Sequence, residues 1–188
     1  MYPVTLAGQA VKLREFRSDD VADAFAIDGD DRVTRWLSFD SRDRAATAAM
    51  VDGAITRAKL VPRTEYYLAV TDADADDRMI GFARLGFSGV RAAKLGYAIH
   101  ADHWGHGYAT DAARTLIDFG FGQLGRHRIT AAIGPENAAS IAVVKRLGMQ
   151  YEGHLRDHVH TGGTWRDSLL YSILATEWTA DSGPGETP

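Results

Sequence analysis

The hydrophobic periodicity of the chain changes near its middle, and that change constrains the fold more than any other feature. Residues 66–71, 79–87 and 94–99 each alternate apolar and polar side chains, which predicts three consecutive strands joined by polar turns. Apolar residues at helical spacing precede this block and return after it. Strands in the centre with helices on both sides predict a domain of the mixed α/β class.

The segments on either side of this block complete the predicted order of elements. A strand is predicted over residues 11–16, and Ser18 can cap the helix that follows it. Gly148 directly follows the last predicted helix, where glycine commonly ends a helix in the left-handed conformation. The other predictions are helices over 41–59, 110–121 and 138–147, a strand over 128–133, and a hairpin of 151–160 and 168–175.

Size and charge limit the class of protein. The 188 residues suffice for one domain with its own core, which we assign to residues 1–178. The last ten residues, 179–188, contain no large apolar side chain and are predicted to be a disordered tail. The net charge of −4 argues against a nucleic-acid-binding protein. No apolar run approaches the length of a membrane-spanning helix, so no membrane partner is expected.

The chain contains no cysteine, and this excludes several kinds of chemistry. Disulfides, thiolate metal sites and a cysteine-bound acyl intermediate are ruled out. A cysteine-free chain without a secretory signal at its start fits a cytoplasmic protein. Two histidine pairs, His103 with His106 and His158 with His160, could hold a metal, but isolated pairs are more often surface residues. We therefore predict no metal.

The strongest local signal is a glycine-rich loop, residues 103–110, between a predicted strand and a predicted helix. A helix start leaves about four backbone N–H groups without intrahelical partners and carries a partial positive charge. Gly105 and Gly107 would let the backbone close around a bulky anion, because neither has a Cβ. The loop therefore predicts a binding site for phosphate or pyrophosphate, with a plain glycine-rich turn as the alternative.

A second loop, residues 135–140, also lies between a predicted strand and a predicted helix. Asn137 is a favourable N-cap residue in its own right, so this loop alone does not separate a structural role from ligand binding. Taken together, the two strand–loop–helix units would point two helix starts at one edge of the sheet.

Four blocks between residues 95 and 178 have the order and spacing of one known family. They are Leu95-Gly96-Tyr97-Ala98-Ile99, Trp104-Gly105-His106-Gly107-Tyr108-Ala109-Thr110-Asp111-Ala112, Asn137-Ala138-Ala139-Ser140 with Leu147-Gly148-Met149, and Gly153-His154-Leu155-Arg156-Asp157 with Trp165-Arg166-Asp167. This stretch closely resembles the GNAT superfamily of acyl-CoA-dependent N-acetyltransferases, and within it the ribosomal-protein N-terminal (RimJ/RimL-like) subfamily. The resemblance implies the GNAT fold, an α/β (α+β) architecture with a mixed, mostly antiparallel sheet of about six to seven strands flanked by four helices.

The resemblance also implies acetyl-CoA as the acyl donor. The family's pyrophosphate loop corresponds to residues 104–109, and Asn137 matches an asparagine that contacts the coenzyme arm. The arm would pair near residues 99–101 like an added β-strand, where an N–H would stabilise the oxyanion. The implied cofactor-binding residues are Ile99, His100, Ala101, Trp104, Gly105, His106, Gly107, Tyr108, Ala109, Thr110, Asn137 and Ser140.

The same resemblance implies direct attack of an amine on the thioester. Many members place a tyrosine acid where this chain has Val144, so Ser140 is the predicted hydrogen-bond donor to the leaving thiolate. Glu65 is the candidate general base, with a solvated surface residue and a water relay as the alternatives. Lys94 replaces an acidic residue usual in the subfamily, which leaves the charge of the acceptor side open. Tyr97, His100 and Asp167 are further candidates.

The expected activity is transfer of an acetyl group to a primary amine, with a protein or peptide N-terminus as the first candidate. A small amine or antibiotic as acceptor, another acyl group such as succinyl, and a catalytically silent coenzyme A-binding regulator stay open as alternatives. Members of the subfamily are often dimers, and residues 168–175 could contribute to such a contact.

Overall fold

The computed structural model describes residues 1–74 and 77–179, which form an eight-stranded sheet in the order β1-β2-β3-β4-β5-β6-β8-β7. Neighbouring strands are antiparallel except β5 and β6, which are parallel. The strands are β1 (Thr5–Ala7), β2 (Val11–Glu15), β3 (Glu65–Asp72), β4 (Met79–Ser88), β5 (Ala92–Ile99), β6 (Arg128–Ile133), β7 (Gln150–Thr161) and β8 (Thr164–Leu174). The helices are α1 (Val21–Asp28), α2 (Asp31–Thr34), α3 (Arg44–Ala58), α4 (Tyr108–Gly122) and α5 (Ala138–Arg146).

Helices cover both faces of the sheet, and each face has its own core. Leu116 and Ile117 of α4 are fully buried against one face. Gly120 lets α4 approach closely, because a Cβ there would lie 2.9 Å from the Ile129 side chain. Residues of α1 and α3 pack on the opposite face, with Phe82 among the strand residues of that second core. Because successive side chains of a strand point to opposite faces, one sheet contributes residues to both cores.

The predicted GNAT fold is confirmed, although the sheet has eight strands rather than six or seven and five α-helices rather than four. The additional elements, β1 and α2, are three and four residues long, too short for a periodic pattern. Gly148 ends α5 with φ of 76°, as predicted.

Two helices begin later in the chain than predicted. The cap by Ser18 is wrong, because Ser18 begins a short 3-10 turn and α1 begins only at Val21. Helix α3 begins at Arg44 rather than residue 41, because the Asp43 side chain caps it by accepting from the N–H of Ala46 at 2.7 Å.

Two further predictions concern the ends and the surroundings of the chain. Within the described ranges, no helix combines the length and apolar character needed to cross a membrane. The predicted disordered tail falls, apart from Thr179, outside the described residues.

Candidate functional site

A wedge-shaped opening in the sheet is the central feature of the site. Strands β5 and β6 pair through only three residue pairs, the last of which joins Lys94 to Thr130. Beyond that pair β5 continues to Ile99 and β6 to Ile133, so the facing strand edges are not paired with each other. The opening leads into a cleft of about 1880 Å³, large enough for an extended ligand. Unpaired strand edges offer such a ligand a row of backbone hydrogen-bonding groups.

The glycine-rich loop closes one end of this cleft. Gly105 and Gly107 have φ of 84° and 82°, and Gly107 is the N-cap residue of α4. A Cβ on either glycine would meet no protein atom within 4 Å. Glycine is favoured here because the backbone angle is positive and because a side chain would occupy the open space in front of the loop. The first N–H groups of α4 therefore face a free volume, as an anion site requires.

Side chains fix the shape of this loop. The Trp104 indole N–H donates to the carbonyl oxygen of Ile99 at 2.8 Å. The Tyr108 hydroxyl donates to Asp72 at 2.7 Å, and this bond lowers the pKa of the Asp72 carboxyl. The ring of His106 stacks on Tyr108 with centroids 5.6 Å apart. The loop is thus held from both sides before any ligand binds.

The three residues predicted at the end of β5 divide into two groups. Ile99 lines the cleft, but His100 and Ala101 are not among its lining residues. The N–H of His100 donates to the Ile80 carbonyl of β4 at 2.8 Å. Because successive peptide groups of a strand point to opposite edges, the N–H of Ile99 faces the opening. The N–H of Ile99 can therefore reach a ligand, whereas the N–H of His100 is already hydrogen-bonded to Ile80.

Helix α5 supplies the opposite wall. The Asn137 side chain accepts from the N–H of Ser140 at 3.1 Å and so caps the helix, and both residues line the cleft. Tyr97 reaches across from β5, and its hydroxyl donates to the Ser140 carbonyl at 3.4 Å. Burial raises the pKa of Tyr97 to about 12, so this phenol stays protonated. Val144 is fully buried in the core.

Ten of the twelve predicted cofactor-binding residues line this one cleft: Ile99, Trp104, Gly105, His106, Gly107, Tyr108, Ala109, Thr110, Asn137 and Ser140. Thr110 also accepts a hydrogen bond from Arg146 at 3.2 Å, which joins the starts of α4 and the end of α5. Two separate helix starts and one strand edge therefore converge, as the spacing of the two loops predicted.

Glu65 has a different environment. It is buried, and it is not among the residues that line the cleft. Its two carboxylate oxygens accept from the Nε atoms of Arg57 and Arg84, each at 2.6 Å. Burial alone would raise the pKa of Glu65, but the hydrogen bonds from Arg57 and Arg84 outweigh it and the pKa lies below its usual value. This arrangement holds a guanidinium in place; the assignment of Glu65 as general base stays a prediction.

The loop after α2 and strand β8 form a further wall of the cleft. The guanidinium of Arg166 donates to the carbonyl oxygens of Arg35 and Leu37 and ties the two segments together. All three residues line the cleft. Arg84 lines it as well, a residue that the sequence analysis did not single out, although the alternation of β4 would have placed it on this face.

Within residues 1–74 and 77–179, no group of three or more His, Asp or Glu side chains is arranged to hold a metal ion. His154 Nε2 is hydrogen-bonded to Asp167 at 2.6 Å, and the Asp157 N–H donates to the same carboxylate. Those contacts hold the irregular middle of the β7–β8 pair.

Comparison with known proteins gives a consistent result. The Acetyltransferase (GNAT) domain family matches residues 10–150. An uncharacterized N-acetyltransferase, p20, of Bacillus licheniformis is 29% identical over 175 residues, covering 93% of this chain and 98% of its own. The [ribosomal protein uS5]-alanine N-acetyltransferase of Escherichia coli is 32% identical over 119 residues, covering 61% of this chain and 60% of its own.

A solved structure shares the architecture. RimJ of Mycobacterium smegmatis, in complex with a CoA disulfide, superimposes with a TM-score of 0.81 at 27% identity, covering 94% of this chain and 90% of that one. Fold, opened sheet and family match agree. The chain belongs to the GNAT family and is an N-acetyltransferase.

Proposed function

We propose that the chain transfers an acetyl group from acetyl-CoA directly to a primary amine, with a protein or peptide N-terminus as its acceptor. The single observation that carries the proposal is the opening between β5 and β6, with the start of α4 at its end. The opening suits an extended pantetheine arm, and the N–H groups behind Gly107 suit a pyrophosphate. The relative from Escherichia coli, whose name gives a protein alanine as substrate, supports the choice of acceptor.

The residues of the cleft would assist where charge develops. As the amine adds to the thioester carbonyl, the N–H of Ile99 is directed to stabilise the carbonyl oxygen. As the carbon–sulfur bond breaks, the Ser140 hydroxyl is the group on α5 that can donate a hydrogen bond to the departing thiolate. The proton of the amine leaves through Glu65 or through water, and the amide and free coenzyme A are the products.

Release of free thiol from acetyl-CoA tests this proposal. We expect release with an unblocked alanine-terminated peptide and none with the same peptide acetylated at its N-terminus, because the blocked form has no primary amine. Mass spectrometry of the peptide should show one added acetyl group. Succinyl-CoA and small amines, including aminoglycosides, form the comparison arms.

The outcomes separate the alternatives. Turnover of small amines with none of peptides would replace the acceptor in the proposal, and turnover of succinyl-CoA alone would replace the donor. Tight binding of coenzyme A, measured by calorimetry, without thiol release from any amine would instead identify a silent coenzyme A-binding regulator.

We propose further that the chain forms a homodimer through the β7–β8 hairpin. Strand β7 lies at the edge of the sheet, and Tyr151 and Trp165 on the hairpin expose 55% and 62% of their surface. Large exposed aromatic side chains beside an open strand edge favour association. Light scattering should give twice the 20.5 kDa of the chain, and a mass of 20.5 kDa at working concentration would contradict the proposal.

A further inference from the structure

Two cationic side chains lie side by side on the sheet face opposite α4. Leu85 and Leu95 belong to the core beneath α4, so Arg84 and Lys94, their sequence neighbours, point to the other face. Arg84 pairs with Gly96, two residues beyond Lys94, which makes the two cations diagonal neighbours on β4 and β5. Both side chains are exposed, and both line the cleft.

Among the described residues, Glu65 is the one acidic side chain that forms an ion pair with either member of this pair, and it contacts Arg84. The ammonium group of Lys94 forms no hydrogen bond or ion pair with any residue of the described ranges. Arg84 uses its Nε for Glu65, and its terminal nitrogens have no hydrogen-bond partner in the same part of the chain. Glu65 is shared with Arg57, so one carboxylate serves two guanidinium groups. The contact with Glu65 also orients Arg84, which lowers the entropy that a ligand must overcome to be bound there.

Several of the other charged side chains that line the cleft already have partners within the protein. Its lining holds two acidic residues, Glu136 and Asp167, and the carboxylate of Asp167 accepts hydrogen bonds from His154 and from the N–H of Asp157. Its six lysine and arginine residues are Arg35, Arg84, Lys94, Arg128, Arg146 and Arg166. Arg128 is paired with Glu152, and Arg166 is bound to backbone carbonyls. A chain with net charge −4 therefore carries an excess of positive charge in this cleft, and Lys94 and Arg84 are the part of it on the face opposite α4.

The phosphates of the donor lie in another part of the cleft under the proposed function. They would bind at the start of α4, where Arg146 contacts Thr110. Arg84 and Lys94 are on the face that α4 does not cover, beside the loop of Arg35 and Leu37. An anion that reaches them thus arrives with the acceptor rather than with coenzyme A.

We propose that the acceptor is a primary amine whose own molecule carries a carboxylate, and that Lys94 and Arg84 bind this carboxylate. This inference rests on the proposed function, because it defines the acceptor of the same site. Lys94 supplies a mobile point charge, and Arg84 supplies an oriented guanidinium that can bind a carboxylate through two nitrogens. In this arrangement Glu65 orients Arg84 through their hydrogen bond.

Matched peptides that begin Ala-Glu and Ala-Gln, amidated at the C-terminus and free of other acidic residues, test the proposal, because only the first carries a carboxylate and the two hardly differ in shape. Calorimetry with enzyme saturated with coenzyme A gives the dissociation constants, and thiol release gives kcat/KM. We expect the Ala-Glu peptide to be preferred by about tenfold at low ionic strength, and the preference to shrink in high salt as exposed charges are screened. The α-amides of glutamate and glutamine, of which only the first carries a carboxylate, distinguish a small acceptor from a peptide.

Charge reversal provides the second half of the test. Lys94→Glu should invert the preference, so that the Ala-Gln peptide binds more tightly. Lys59→Glu makes the same change of net charge at an exposed position after α3, outside the cleft lining, and should keep the preference for Ala-Glu.

The two readouts separate the possible failures. Equal binding of both peptides by the wild type, or an unchanged preference in Lys94→Glu, overturns the inference even if both peptides are acetylated. A retained binding preference without any thiol release would contradict the proposed acetyl transfer and leave Lys94 and Arg84 as a carboxylate-binding pair.

Discussion

The indole N–H of Trp104 donates a hydrogen bond of 2.8 Å to the carbonyl oxygen of Ile99 and so joins the glycine-rich loop to the end of β5. The same residue of β5 directs its N–H into the opening of the sheet. One bond therefore couples the loop expected to hold the pyrophosphate to the N–H expected to stabilise the oxyanion, and a change at Trp104 should affect both.

Replacing Trp104 by Phe removes this donor and keeps an aromatic ring. We expect coenzyme A affinity to fall by about fivefold, because the loss of one well-placed hydrogen bond costs about 1 kcal/mol. Calorimetry measures the affinity. Trp165→Phe, at an exposed position of the hairpin, is the matched control and should bind coenzyme A as the wild type does. Equal affinity for coenzyme A in the two variants would show that the loop keeps its binding geometry without this hydrogen bond.

The elements with long periodic patterns were the predictable ones. Strand β6 was predicted at its observed bounds, and the two glycines of the loop were predicted for the reason that their φ angles show. Strand β1 was not predicted, because it is three residues long and is defined by its pairing with β2. Local sequence carries no signal for such pairing.

The features of the site that the sequence could not predict are contacts between side chains far apart in the chain. Glu65 reads as a polar residue at a strand start, and only the fold brings Arg84, 19 positions away, to its second oxygen. The contact between Arg166 and the carbonyls of Arg35 and Leu37 spans about 130 residues and was equally inaccessible. The sequence thus predicted which backbone segments form the cleft but not how its charges are shared.

Gly107→Ala should weaken coenzyme A binding by about tenfold or more. The φ of 82° is unfavourable for alanine, and the added methyl group points into the space in front of α4. Gly89→Ala provides the control, because Gly89 also has positive φ, of 58°, and no atom within 4 Å of a built Cβ, but lies in the turn after β4. Thermal unfolding should show a similar small loss for both, about 1 kcal/mol. Full affinity in Gly107→Ala would place the phosphates elsewhere.

Ser140→Ala should lower kcat with little change in the KM for acetyl-CoA. The hydroxyl would interact with sulfur mainly as negative charge develops, so its loss affects the transition state and not the ground state. We expect a drop of about 10–100-fold at every pH, since a hydrogen bond to a charged atom contributes about 1.5–3 kcal/mol. Ser18→Ala, at an exposed residue of the 3-10 turn, should keep full activity. Full kcat in Ser140→Ala would limit Ser140 to its place in the first turn of α5.

Glu65→Gln separates a base from a positioning residue by its pH profile. Hydrogen bonds from Arg57 and Arg84 keep the pKa of Glu65 below its usual value, so any limb that Glu65 causes lies below the ordinary range of a glutamate. We expect the limb above pH 5 to be unchanged and the KM for an Ala-Glu peptide to rise, because Arg84 loses its anchor. A flattened acidic limb with an unchanged KM would support Glu65 as the base.

Asp77→Asn should lower stability in neutral solution and make no difference in strong acid. A hydrogen bond from Lys12, with help from Arg17 and Arg14, lowers the pKa of Asp77 from its usual 3.8 to about 2. A carboxyl whose pKa is lowered on folding stabilises the native state above its unfolded pKa, and this contribution is lost as the pH falls through the folded value. The gain in the free energy of unfolding at pH 7 is about 1–2 kcal/mol once screening at this partly exposed site is allowed for.

Urea unfolding between pH 2 and 7 measures this contribution. The stabilities of the wild type and Asp77→Asn should converge as the pH falls from about 4 toward 2. Asp52→Asn, at an exposed position of α3, is the control and should match the wild type throughout. A constant difference down to pH 2 would mean that the charge of Asp77 contributes nothing and that the substitution acts through packing alone.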